Sequence, residues 1–196
     1  MIADVSIRQF EIIEAAGRIL TSSGVGGLTI KNLAQEMRFS EGAIYRHFAS
    51  KEDIIVAMLE YLAQAMDERF TKVISPYLTP EKKLKAIFET QFLYFKDNPH
   101  FVVAVFSDGL MEENSRINSA IAKIMDVKMK HLKPVIQEGQ RNGIFTDEIN
   151  TQDMVHIVMG TFRLLMYKWR VSDFDFDVKK NGDAMMNSIW KLIKAK

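Results

Sequence analysis

Between Leu28 and Asp53 the chain reads LTIKNLAQEMRFSEGAIYRHFASKED, and no other stretch narrows its fold as far. Ile30, Leu33, Ala34 and Met37 recur at i, i+3, i+4 and i+7, the spacing that puts them on one face of an α-helix. Thr29 stands just before them, where a capping hydroxyl is needed. The periodicity breaks over Arg38-Phe39-Ser40, and Ala43, Ile44 and Phe48 then supply the apolar side of a second short helix. Ser40 suits its N-cap and Glu41 sits beside the positive end of its dipole. The pattern predicts two short helices around a tight turn, a helix-turn-helix over residues 29–48. On the outer side Gly42 and Ala43 are small enough to approach a groove closely, and Tyr45, Arg46 and His47 carry donors that suit phosphate oxygens.

The rest of the chain also reads as helix. A first helix is expected from about Ser6 to Ser23, with Phe10, Ile13, Ala16, Gly17 and Leu20 on one side, stopping at Gly24-Val25-Gly26-Gly27. It would pack across the helix-turn-helix, with Phe39 and Phe48 as core plugs. Ser50 caps a fourth helix through Ile54, Met58, Leu62 and Ala65 to about Val73. Pro80 after Thr79 opens a fifth through Leu84, Phe88, Phe92 and Phe95. Asn98-Pro99 repeats that signal for a short sixth helix ending near Gly109. A seventh spans about Ser115 to Arg141, with Gly143 as its C′ residue. An eighth spans Thr151 to Trp169, and the last runs from about Val178 to Lys194. No strand-like alternation competes. The expectation is an all-α chain of about nine helices: a three-helix domain over residues 1–50 and a larger helical domain over 51–196.

Bulk composition excludes more than it selects. The chain has 196 residues, long enough for a sizeable core, and its 47% hydrophobic content with ten glycines and four prolines argues against a loop-rich β fold. Without cysteine there is no disulfide scaffold, thiolate metal site or cysteine catalysis, which is compatible with a reducing cytoplasm. No apolar run is long enough for a membrane span, so a soluble, unexported protein is expected. A net charge of +1 gives no support for nucleic-acid binding. Locally, six basic residues before Ile54 (Arg8, Arg18, Lys31, Arg38, Arg46, Lys51) meet seven acidic ones (Asp4, Glu11, Glu14, Glu36, Glu41, Glu52, Asp53). Any grip on DNA must therefore come from the placement of charges rather than their sum, and two copies would be needed.

Thr29, the Leu33-Ala34 pair, Ser40, Gly42, the run Ala43-Ile44-Tyr45-Arg46-His47-Phe48 and Ser50-Lys51-Glu52 resemble the DNA-binding domain of the TetR (tetracycline-repressor) family. The resemblance covers roughly the first quarter of the chain. It implies a ligand-responsive transcriptional regulator, more often a repressor, that binds a palindromic operator as a homodimer. It further implies that Thr29, Tyr45, His47 and Lys51 grip phosphates, with Ser40 at the helix start, while Glu41, Gly42, Ala43 and Arg46 lie along or in the major groove. One position departs. The family usually has Gly where this chain has Arg38; a non-Gly residue there should cost on the order of 1 kcal/mol in a left-handed backbone, and its charge can add a phosphate contact.

The resemblance also implies an effector cavity and a dimer seam in the larger domain. Phe88, Phe92, Phe106, Met125, Met129, Met159 and Phe162 are the expected lining, since twelve methionines and an aromatic series suit an adaptable, largely apolar guest. His156 and Arg163, seven apart and on one face, either meet an acidic head group or, for Arg163, pair across the dimer. Thr151 to Trp169 is apolar nearly all round, so it must be covered on both sides. A four-helix seam is expected from Val155, Val158, Phe162, Met166 and Trp169 with Met185, Ile189, Trp190 and Ile193; in the resembled family the last two helices form it.

No cofactor and no metal are expected. Asp173, Asp175 and Asp177 imitate a calcium loop, but Val178 and Ala184 stand where Gly and Glu are required. His47 has no second ligand at i+3 or i+4, and His100 and His131 read as surface residues. A rival reading is an all-helical enzyme or lipid carrier whose N-terminal domain only mediates contacts. The sequence offers it no nucleophile with a nearby base and no paired carboxylates in an apolar setting.

Overall fold

The computed structural model describes residues 5–106 and 115–195. Among these it contains nine helices and no strand, only an isolated bridge between Phe145 and Lys194. In chain order the helices are α1 (Ile7–Gly27), α2 (Ile30–Met37), α3 (Glu41–Tyr45), α4 (Lys51–Val73), α5 (Pro80–Asp97), α6 (Pro99–Val105), α7 (Ser115–Arg141), α8 (Thr151–Val171) and α9 (Val178–Ile193). The expected end of α6 near Gly109, together with Met111 and Lys196, lies outside the described residues.

Packing separates two compact units, Met1–Ala65 with Asn98–Met125, and Met66–Asp97 with Asp126–Lys196. The division falls inside α4 and inside α7, so each of these helices contributes residues to both.

In the first unit α1 opens on a capping box: Gln9 N–H donates to Ser6 Oγ while Ser6 N–H donates to Gln9 Oε1. Ile12, Ile13, Ala16, Ile19 and Leu20 form its buried side. The helix bends at Gly24, whose φ of 65° and ψ of −169° interrupt it just after the Ser23 stop expected from sequence. Leu33, Ala34, Ile44 and Phe48 close a small core against it. Ser50 Oγ accepts from Asp53 N–H at the start of α4, whose Ile54, Met58, Leu62 and Ala65 are buried as the periodicity predicts.

His100 departs from its expected surface position. It is buried on α6 against α1, where a β-carbon on Gly17 would stand 2.7 Å from His100 Cγ. A residue with no carbon beyond Cα at position 17 is what admits the ring.

In the second unit α5 presents Leu84, Ile87, Phe88, Gln91, Phe92 and Phe95 inward, and α9 packs on it. The approach is close enough that a β-carbon on Gly182 would stand 2.4 Å from Phe92 Cε2. Helix α7 ends in a Schellman motif: Ile144 N–H donates to Gly139 C=O, Gly143 N–H to Gln140 C=O, and Gly143 has a φ of 65°. His131 also departs from the surface reading. Its Nε2 lies 2.6 Å from Asp67 Oδ1 and its ring meets Phe70 edge-on, so a carboxylate and an aromatic partner hold it half-buried. Asp177, from the aspartate-rich loop, accepts from Lys180 N–H and caps α9.

Candidate nucleic-acid interface and ligand core

The helix-turn-helix is built from local bonds. Thr29 Oγ1 accepts from Asn32 N–H at 3.1 Å and Ser40 Oγ from Ala43 N–H at 3.2 Å, so both helix starts are capped as the sequence indicates. Between them Arg38 adopts φ 55° and ψ 42°. Phe39 N–H donates to Ala34 C=O at 2.8 Å and Arg38 N–H to Gln35 C=O at 3.1 Å, which makes the turn a Schellman motif with arginine at the left-handed position. The expected Gly departure is therefore located: Arg38 carries the left-handed backbone and is exposed.

Helix α3 has only five residues. It ends at Tyr45 because the Ile44 carbonyl accepts from both His47 N–H (2.9 Å) and Phe48 N–H (3.1 Å), which tightens the last turn and leaves His47 just beyond the helix. Ile44 and Phe48 turn inward, while Glu41, Gly42, Tyr45, Arg46 and His47 are exposed together with Thr29 and Ser40; Ala43 and Lys51 are half-buried. Each cap uses a lone pair of its hydroxyl, so the hydroxyl proton stays available to an incoming phosphate oxygen. The result is an outward ridge of small residues flanked by donors, the surface that a major groove accepts.

The residues expected to line a cavity are brought together only in part. Phe162 on α8 meets Phe88 and Phe92 at ring-centroid distances of 5.5 Å each and Phe95 at 6.2 Å. Met129 and Met159 are half-buried in the same unit. Phe106 and Met125 belong to the other unit, with Phe106 buried and Met125 exposed. His156 and Arg163 lie on the exposed side of α8, where His156 Nε2 is 3.1 Å from Gln152 Nε2.

Besides Lys83 on α5, two interior polar residues near the Phe162 ring were missed from sequence. Lys128 on α7 is 8% exposed, with Nζ 4.3 Å from the Phe162 ring centroid. Burial, and then the nearby Arg163 charge, push its pKa down to about 7. Gln91 on α5 is fully buried. The signal was present in each case. Lys128 falls in the apolar row Ile124, Leu132, Val135, and Gln91 falls between Phe88 and Phe95, so each is a polar residue at a core position of its helix.

Most residues expected at a dimer seam are covered by their own chain. Val155, Val158, Phe162, Met166 and Trp169 are buried within their own chain, as are Ile189 and Ile193, while Met185 and Trp190 are half-buried. Side chains already covered by their own chain have almost no surface left for a partner. The apolar residues that α8 and α9 leave exposed are Ile157, Leu164, Tyr167 and Val171, and Leu192, with Leu164 and Leu192 at 60% and 72%. Along α8 these recur with Gly160 at alternating steps of three and four, the spacing of a helix–helix seam.

Residues 12–58 match the family model described as bacterial regulatory proteins, tetR family, and residues 58–195 match that of the YsiA-like protein C-terminal region. The chain belongs to the TetR family. Among TetR-family and other relatives it is similar to the nucleoid occlusion factor SlmA of Vibrio atlanticus (strain LGP32), 22% identical over 191 residues, or 97% of this chain and 95% of that protein. It is likewise 22% identical over 186 residues to the fatty acid metabolism regulator protein of Bacillus subtilis (strain 168), covering 95% of this chain and 93% of that one. The fold is shared with the fatty acid degradation regulator FadR from Bacillus halodurans, at a TM-score of 0.85, 18% identity and coverage of 97% and 98%. It is also shared with FadR from Bacillus subtilis in complex with stearoyl-CoA, at a TM-score of 0.82, 20% identity and coverage of 94% and 98%. The TetR-type helix-turn-helix and the helical C-terminal domain thus agree with the all-α architecture read from sequence. Among the described residues, no helix is long and apolar enough to cross a membrane, and no three His, Asp or Glu side chains group as a metal would require.

Proposed function

We propose that this TetR-family protein is a homodimeric repressor that binds a palindromic operator and is released by a largely apolar small molecule. Residues 1–50 are the DNA-binding part, and residues 51–196 the effector-binding and dimerisation part. The observation that carries the reading is the outward ridge of α3, capped by Ser40, turned by Arg38 and anchored inward by Ile44. On it Glu41, Gly42, Ala43 and Arg46 enter or follow the major groove. Thr29, Ser40, Tyr45, His47 and Lys51 hold phosphates on either side, and Arg38 adds a further one.

Dimerisation uses the exposed apolar row of α8 and Leu192 of α9, which sets two ridges about 34–36 Å apart on successive major grooves. The effector's chain lies against the Phe88, Phe92, Phe95 and Phe162 rings. An acyl ligand is supported by that apolar cluster and by relatives whose names describe regulators of fatty acid metabolism, one of them in complex with stearoyl-CoA. Release follows if the bound effector shifts α4, which begins at Lys51 beside the operator and runs unbroken to Val73. The ligand must then favour the displaced state by a few kcal/mol over the DNA-competent one.

A gel shift with the DNA upstream of the protein's own gene tests the core of this reading. Wild type should retain the fragment, and the double variant Tyr45→Ala plus His47→Ala should lose it. Equal retention by both would remove α3 as the reading element.

A further inference from the structure

We infer that the interior of the second packing unit holds a site for an acyl carboxylate, its head group between Lys128 and Gln91 and its chain against the Phe88, Phe92, Phe95 and Phe162 rings. This deepens the ligand-responsive reading above and rests on it.

The argument starts from a contrast between two buried lysines. Lys83 is 6% exposed, and its Nζ donates to both carboxylate oxygens of Glu138, at 2.9 and 2.7 Å. Lys128 is equally buried, yet among the described residues its ammonium has no carboxylate and no hydrogen-bond acceptor, only the face of Phe162. A ring face offers such a group no acceptor, so its N–H donors stay free to meet an incoming anion. Burial, and then the Arg163 charge, lower its pKa to about 7.

Gln91 makes the same point independently. It is fully buried, and among the described residues neither Nε2 nor Oε1 has a partner. Interior amides are almost always paired. Gln91 shares its face of α5 with Phe88, Phe92 and Phe95, whose rings meet Phe162, the ring over which Lys128 Nζ lies.

An ammonium over the Phe162 ring and an amide among the phenylalanines that meet this ring thus each lack an acceptor or partner among the described residues. A carboxylate accepts from both donors, and the alkyl chain behind it fits the rings. An uncharged ester keeps the chain contact and a neutral carbonyl acceptor but brings no charge to the ammonium.

The test is calorimetric titration of the full chain at pH 6, below the value of about 7 at which Lys128 loses its charge, with sodium laurate and with methyl laurate, which has the same chain without the charge. Laurate should bind at one site per chain and about tenfold or more tighter than the ester, the range of a charge-assisted hydrogen bond. Lys128→Met should erase that preference, and Gln91→Leu should reduce it by a smaller factor. If laurate and its ester bind alike, if neither binds, or if Lys128→Met keeps the preference, the site is wrong. Should a variant fail to fold, the comparison on wild type decides alone. A gel shift of ligand-free wild type keeps the two readings apart. Retained DNA with no laurate binding removes this site only, whereas absent DNA binding removes the regulator reading whatever the calorimetry gives.

Discussion

The imidazole of His100 rests directly on the α-carbon of Gly17, so that a β-carbon at position 17 would stand 2.7 Å from His100 Cγ and 2.8 Å from Cδ2. Gly17→Ala ought to be favourable for an isolated helix. Here it overpacks, and we expect a net loss of about 1–3 kcal/mol in urea denaturation. The pair Gly17→Ala with His100→Ala should recover part of that loss, because the second change removes the obstruction.

His100 also gives the fold a pH dependence. Burial first, and then the Arg18 charge, lower its pKa from 6.5 to about 4, and its Nε2 is 4.0 Å from Glu14 Oε1. The unfolded chain thus binds the proton more readily between those values. Stability is fully present above pH 6.5 and falls as the pH drops towards 4, by at most about 3 kcal/mol. Glu14, whose own pKa is raised by burial, acts in the opposite sense near pH 4.5 and above. Denaturation midpoints at pH 7.5, 6 and 5 should slope less in His100→Gln than in wild type.

The turn of the helix-turn-helix holds a residue in a conformation that suits glycine better. Arg38→Gly should raise stability by about 0.5–1 kcal/mol by relieving the left-handed backbone, partly offset by greater freedom of the unfolded chain. If Arg38 also meets a phosphate, the same change should lower the salt slope of operator binding by about one. Thermal denaturation and a salt series of gel shifts read the two effects separately.

The exposed apolar row of α8 gives a direct test of assembly. Leu164→Glu places a charge in the middle of the proposed seam without touching the core of its own chain. Light scattering should show a shift from dimer to monomer while the helical circular dichroism persists. A variant that stays dimeric would place the subunit contact elsewhere.

The helix-turn-helix was legible because everything that makes it is local. Thr29 and Ser40 cap from adjacent positions, and the left-handed turn at Arg38 is flanked by the residues that bond around it. The helices of the larger domain were legible for the same reason, through Pro80, Asn98-Pro99 and Gly143. The side of α8 that faces inward was not. Its buried set (Val155, Val158, Phe162, Met166, Trp169) and its exposed set (Ile157, Gly160, Leu164, Tyr167, Val171) both advance in steps of three and four, so periodicity cannot rank them. Only the presence of α5 and α9 decides. His100 was hidden for a different reason, since its environment is set by a glycine on another helix.

Among the five residues of helix α3, Ile44 is buried, Ala43 is half-buried and the other three are exposed. Residues 41, 42 and 45 can therefore diverge among descendants of this chain with little consequence for folding, and if α3 reads the groove as proposed, each new combination would address a different stretch of genome. The scaffold is inherited, while its destination is free to drift.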